Sequence, residues 1–264
     1  VEVIRPRSLD DALRLRAEHP KALAIRGGTD VMVELNFDRS RPEMILDLGE
    51  VAELGGWSRE NGLLRLGAGL TYAEIEHGAL APVLPALAEA SRTVGSPQIR
   101  NRGTIGGNLG TASPAGDALP PLLVEEADVE LASVRGVRRL TLSEFLVGPK
   151  RNALADDELI AAVHVRPSGA AQTFMKVGTR NAMVIAVCSL AVAVDRERGE
   201  VRASFGSAGP VSGFVSVPLD AARTLPDAVA EACSPIDDVR GTAAYRRHAL
   251  GILARRAVER CLAA

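Results

Sequence analysis

The sequence predicts an α+β fold in two parts, and three observations carry that prediction. The first fifty residues alternate short β-branched runs with helical stretches. From Leu63 to Val165, strands and helices mix without strict alternation. Beyond Pro167-Ser168-Gly169, a breaker-rich boundary, successive apolar runs read as an antiparallel meander that ends in a long helix.

Val1 to Ile4 is a short β-branched strand. Ser8 stands where a helix cap belongs, over Leu9 to Glu18, with Asp10 and Asp11 in a first turn that favours negative charge. Ala22 to Ile25 is an apolar strand, Val31 to Phe37 a helical stretch and Met44 to Leu48 another strand. This β-α-β-α-β order predicts a small, mostly parallel sheet. Leu63 to Gly67 is a strand, and Thr71 caps a short helix over Tyr72 to His77. Pro82 to Val94 is an amphipathic helix opened by prolines suited to a first turn. Strands follow at Val129 to Ser133, Val137 to Leu140 and Leu159 to Val165. In the last part Thr173 to Gly178, Val187 to Val194 and Val201 to Ser207 form the meander, with Arg196 to Gly199 as a turn. Ser207 to Leu219 reads as an ordinary strand and loop. Ala243 to Leu262 is helical, with Ala244, His248, Gly251, Ile252, Arg255, Val258 and Leu262 along one side.

Composition narrows the function. The 264 residues are 47% hydrophobic and 24% charged, values of an ordinary globular chain. With 31 basic and 33 acidic side chains the net charge is −2, so no positive field invites nucleic acid, and an anionic ligand must be held by local geometry. No apolar run reaches the length of a membrane span, and Val1-Glu2-Val3-Ile4-Arg5-Pro6 lacks the pattern of a signal peptide, which predicts a cytoplasmic protein. Cys188, Cys233 and Cys261 are far apart and read as buried, reduced thiols. His19, His77, His164 and His248 show no metal-ligand spacing, so no metal site is expected. Glu125-Glu126 and Asp156-Asp157 read as solvated carboxylates at turns. There is neither a P-loop nor a nucleophile elbow.

Two glycine-rich loops remain. Arg26-Gly27-Gly28-Thr29-Asp30 lies between a strand and a helix, where backbone N–H groups converge and paired glycines allow close approach of a ligand. A tight turn with a capping Thr or Asp has the same residues. The second loop, Arg100-Asn101-Arg102-Gly103-Thr104-Ile105-Gly106-Gly107-Asn108-Leu109-Gly110, is poor in bulky apolar residues. It reads as an anion nest of successive N–H groups outside the core. In the polar turn that follows, Asp117 is either a helix cap or an acceptor for ribityl or ribose hydroxyls. Gly67-Ala68-Gly69-Leu70-Thr71-Tyr72 starts like a dinucleotide fingerprint but has Tyr72 at the third glycine. Two separated loops suggest one diphosphate gripped from two sides. Such loops without an acid–base set suit a carrier of a redox cofactor, which brings its own chemistry.

Arg26-Gly27-Gly28-Thr29-Asp30, then Gln98-Ile99-Arg100-Asn101-Arg102-Gly103-Thr104-Ile105-Gly106-Gly107-Asn108 and Ala112-Ser113-Pro114-Ala115-Gly116-Asp117, resemble the FAD-binding medium subunit of the xanthine dehydrogenase and carbon monoxide dehydrogenase family of molybdenum hydroxylases. The likeness resumes at Phe174-Met175-Lys176-Val177-Gly178-Thr179-Arg180, ends with Asp238-Val239-Arg240-Gly241 and Tyr245-Arg246-Arg247, and covers essentially the whole chain. It implies an FAD-binding domain of the PCMH type, as in vanillyl-alcohol-oxidase-like flavoproteins, over residues 1–167. Subdomains of about 1–55 and 56–167 would be followed by a C-terminal α+β domain, an antiparallel sheet with helices, over 168–264. Carried over by position, Ile25, Arg26, Gly27, Gly28, Thr29, Asp30 and Val31, with Thr104, Ile105, Gly106, Gly107 and Asn108, would hold the FAD diphosphate. Asp117 would bond the polyol, Ile160 would lie near the flavin, and Lys176 would stand near the cofactor.

The resemblance also implies an electron-transfer subunit of a heterotrimer. A small subunit would carry 2Fe–2S clusters and a large subunit the molybdenum cofactor, and FAD would pass electrons to NAD, a quinone or dioxygen. A stand-alone flavoprotein oxidase and a non-catalytic nucleotide-binding module are the alternatives, and copurifying large and small subunits would separate the first reading from both. No aromatic residue stands near Val94 or within the second loop, so aliphatic side chains are expected to line the flavin.

Overall fold

Residues 1–264 are described by a computed structural model in which four sheets carry the chain. The smallest elements come first. β1 (Glu2–Ile4), β2 (Leu23–Ile25) and β3 (Met44–Asp47) pair in parallel in the order β1-β3-β2, as the alternating strand and helix signals require. α1 (Leu9–Glu18) is capped by Ser8, whose Oγ accepts from the Asp11 N–H, and α2 (Val31–Asn36) connects β2 to β3.

The second sheet is antiparallel throughout. Its strands are β4 (Trp57–Glu60), β5 (Leu63–Gly67), β6 (Asp128–Ser133) and β7 (Gly136–Thr141), joined by a long central strand. A two-stranded hairpin, β8 (Leu146–Gly148) and β9 (Arg151–Asn152), precedes that central strand, β10 (Leu159–Val165), and the order is β4-β5-β10-β6-β7. Leu64, Leu66, Val129, Leu131, Val163 and Val165 face one core, which α3 (Tyr72–His77), α4 (Pro85–Arg92), α6 (Ile105–Thr111) and α7 (Leu119–Val124) help to close; the single turn α5 (Pro97–Arg100) precedes α6. Leu159 and Ala161 share the parity of Val163 and Val165 yet join the opposite core, with Ala12, Leu13 and Leu46. A β-bulge between Ile160 and Ala162 makes this possible, because one extra residue swaps the faces of everything beyond it.

The third sheet, β11 (Ala171–Val177), β12 (Cys188–Asp195), β13 (Glu200–Gly206) and β14 (Gly213–Pro218), is the expected antiparallel meander. The stretch Ser207 to Leu219 supplies its edge strand β14. The turn α8 (Leu142–Phe145) lies back in the second sheet, while α9 (Leu225–Ala232) and α10 (Ala243–Leu262) pack on the third. Cys188, Cys233 and Cys261 are buried and unbridged in this core, and burial pushes the Cys188 thiol up to about 12.

Four expectations need correction. α10 buries Arg246, Ala249, Leu250, Leu253, Ala254, Ala257, Val258 and Cys261, not the side through Ala244, His248 and Arg255. The hidden row includes a cation, because Arg246 donates to Ser207 O and to the Asp238 carboxylate. Glu125 is buried rather than solvated, since its carboxylate accepts from the N–H and Oγ of Ser168 and from Gln172. Asp117 does not cap α7, whose N-cap is Ala118 without a side-chain bond. The helix expected over Pro82 to Val94 is shorter, Pro85–Arg92, because Pro85 opens its first turn.

Candidate functional site

A cleft of about 760 Å³ opens beside the two glycine-rich loops. Ile25 through Val31 line it, with Thr104, Gly106, Gly107, Asn108 and Ile160. Of the other predicted residues, Ile105 is fully buried in the core below, and Asp117 and Lys176 form a buried pair outside the lining.

The first loop follows β2 and enters α2 through Gly28 at φ +78°, a conformation that favours glycine. The N–H groups of Gly27, Gly28, Thr29, Asp30 and Val31 meet no backbone acceptor. Five successive donors are therefore available to a ligand at the cleft, with the positive end of α2 behind them. The Arg26 guanidinium does not join them. It donates to the carbonyls of Leu48 and Gly49 and anchors the loop from behind.

The second loop differs from its expectation. From Ile105 onward it is the helix α6, and Ile105 and Leu109 are wholly buried, so that part belongs to the core. Its leading N–H groups are already used. Ile105 donates to Leu70 O at 3.0 Å, Gly106 to Ala68 O at 2.8 Å and Gly107 to the capping Thr104 Oγ1 at 3.0 Å. Its glycines serve close approach instead. Gly106 lies against Ala68, where a Cβ would be 2.6 Å from the Ala68 carbonyl oxygen, and Gly107 and Gly110 leave an open floor.

Direct contacts join the loops. Gly27 packs on the Arg102 carbonyl too closely for any side chain. Thr111 Oγ1 donates to Asp30 Oδ2 at 2.7 Å, and Arg102 Nη2 donates to Arg26 O at 3.4 Å. From the far side Asn152 Nδ2 donates to Gly110 O at 2.9 Å, and Lys150 pairs with Glu34 at 3.3 Å.

Behind this wall Lys176 Nζ on β11 donates to Asp117 Oδ2 at 2.6 Å and to Thr93 O at 3.2 Å. Asp117 Oδ1 is enclosed and has no partner. Burial pushes the Asp117 carboxyl up to about 6, although the Lys176 ammonium pulls the other way. Ile160 reaches the cleft because the β10 bulge turns it toward Gly110.

Sequence reasoning missed Ala68, Gly69, Tyr72, Val94 and Thr111 in the lining. The near-fingerprint Gly67-Ala68-Gly69 was the available signal. Its small residues serve packing, since Gly69 gives room to the Arg26 guanidinium and Ala68 to Gly106. Tyr72 brings an aromatic ring to this lining.

Residues 1–167 match the family model described as the FAD binding domain in molybdopterin dehydrogenase. The xanthine dehydrogenase FAD-binding subunit of Escherichia coli O157:H7 is 30% identical over 278 aligned positions, covering 98% of this chain and 95% of the relative. The nicotinate dehydrogenase FAD-subunit of Eubacterium barkeri is 38% identical over 205 positions, covering 74% and 69%. In structure the chain superposes on carbon monoxide dehydrogenase from Oligotropha carboxidovorans with a TM-score of 0.92, at 25% identity and over 99% of this chain and 97% of that one.

Proposed function

The chain belongs to the family of FAD-binding domains in molybdopterin dehydrogenases, oxidoreductase subunits of the xanthine and carbon monoxide dehydrogenase type, and from that premise we propose that it is the electron-relay subunit of a molybdenum hydroxylase. In this reading a small partner carries 2Fe–2S clusters and a large partner the molybdenum cofactor. Electrons reach FAD in this chain from the clusters and leave to NAD, a quinone or dioxygen. The three subunits form a cytoplasmic heterotrimer. No helix of the chain is long and apolar enough to cross a membrane. Residues 1–167 would form the FAD-binding domain and 168–264 the C-terminal domain.

The observation that carries the reading is the row of five N–H groups, Gly27 to Val31, without a backbone acceptor at the cleft. A diphosphate needs several such donors, and the cleft volume lies within the roughly 300–1,000 Å³ usual for cofactor sites. FAD, when bound, supplies the exchange between two-electron and one-electron transfer. The chain does the rest. Ile25 to Val31 bind the diphosphate, and Thr104, Gly106, Gly107 and Asn108 form the opposing wall, with Ile105 seating that wall in the core. Ile160 lies against the flavin. Asp117 and Lys176 stand behind this wall as a buried pair, with Asp117 Oδ1 enclosed.

The purified chain should take up FAD with visible flavin bands that bleach on dithionite. A Gly107→Trp variant, whose side chain enters the open cleft, should fold and lose those bands. A chain that stays colourless both alone and when coexpressed with large and small subunits would refute the reading. Absence of those subunits from a mass-spectrometric analysis of the native preparation would refute the assembly.

A further inference from the structure

Tyr72 is the only aromatic side chain lining the cleft, and no role above uses it. It opens α3 directly after the capping Thr71, and its N–H donates to Gly103 O at 3.1 Å. The ring lies on Gly103, where a Cβ would be 3.1 Å from Cδ2 and Cε2, and the residue is only 4% exposed. No hydrogen bond of the chain reaches the phenol oxygen. That oxygen is not among the wholly enclosed unpartnered atoms, and the residue lines the cleft. A buried phenol ordinarily finds a partner. Burial first, then the charges of Asp117 and Asp30, push its ionisation well above the usual tyrosine range. It is thus a neutral donor that an anion can approach. The ring packs on Gly103 of the second loop, and Asp30 of the first loop acts on the charge of the phenol.

We propose that the Tyr72 hydroxyl donates a hydrogen bond to the diphosphate of bound FAD, completing from α3 the grip that the Gly27 to Val31 N–H groups begin. The inference rests on the cofactor reading above and adds a residue to it. Tyr72 would touch the diphosphate and not the flavin, so its effect belongs to affinity rather than to flavin colour.

The test uses the full chain and two ligands, FAD and ADP, since ADP carries a diphosphate without a flavin. Titration calorimetry gives both affinities for the wild type and for Tyr72→Phe, which keeps the ring on Gly103 and should keep the unfolding midpoint. Loss of one hydrogen bond to a charged group should weaken FAD and ADP by the same factor, about tenfold, with the absorption band of bound FAD unmoved. Wild-type affinity of Tyr72→Phe for both ligands would overturn the proposal and leave the cofactor reading intact. Weaker FAD with unchanged ADP would also overturn it, because the hydroxyl would then face the flavin half. A wild-type chain that binds neither ligand, alone or coexpressed with large and small subunits, would take down both.

Discussion

A Cβ on Gly106 would lie 2.6 Å from both the Cβ and the carbonyl oxygen of Ala68, whereas one on Gly107 would meet only the Thr104 hydroxyl, at 3.1 Å. Adjacent glycines therefore respond differently to substitution. Gly106→Val should cost more than about 2 kcal/mol by overpacking, read as a shift of the urea midpoint. Gly107→Trp should keep stability within about 1 kcal/mol of wild type while abolishing FAD uptake. Asp117 gives a second residue-scale prediction. Its folded pKa is raised to about 6, above that of the unfolded chain. Between those values the folded state binds the extra proton, so this group's stabilisation is complete at low pH and is lost as pH rises through about 6. Unfolding free energies of wild type minus Asp117→Asn should therefore grow on acidification from pH 7 to pH 4, by up to about 3 kcal/mol. A flat difference would show that Asp117 is already an ordinary carboxylate.

At the scale of elements, α10 depends on one acidic turn. Asp238 accepts from Arg240 and from Arg246, and Arg246 is buried against the third sheet. The Arg240 guanidinium first, with Arg246 further down, holds the Asp238 carboxyl well below the usual range. That stabilisation is present at neutral pH and is lost as pH falls through the depressed value. Asp238→Asn leaves Arg246 without its counter-charge and should cost about 3 kcal/mol at pH 7. Hydrogen exchange should locate the loosened amides in α10 and β13, while β5 and β10 of the second sheet stay protected as before. The loop contacts make a separate prediction. Gly27→Ala forces the first loop off the Arg102 carbonyl, so it should weaken FAD binding by more than it lowers the urea midpoint.

Across the whole molecule, buried polar contacts join residues before and after Pro167. Arg202 Nε donates to Val124 O at 2.8 Å, the Phe174 N–H donates to Glu89 at 2.7 Å, and Lys176 reaches Asp117. Ala86, Ala90, Val124, Phe174, Ala191 and Ala193 form a small core shared by both sides. Unfolding should therefore be a single calorimetric transition. Phe174→Ala should lower stability by about 3 kcal/mol and keep that transition single, and two resolved transitions in the wild type would contradict the shared core.

Local signals in the sequence determined most of the elements. Ser8 and Thr71 announced their helices because a cap bonds within three residues, and the apolar runs of β12 and β13, split by the Arg196 to Gly199 turn, announced a meander. The joint spacing of the loops at Arg26 and Arg100 determined the family. Only the tertiary structure decided which loop offers free donors. The N–H groups of α6 are consumed by Ala68 and Leu70, more than thirty residues earlier, a pairing no local pattern encodes. Likewise Arg246 and Glu125 look like surface charges in sequence and are buried because distant partners satisfy them. The bulge that turns Ile160 toward the cleft exists only through the register of β10 on β6. Hydrogen bonds within a few residues can be read from the chain, whereas those that close across the fold depend on which segments packing brings together.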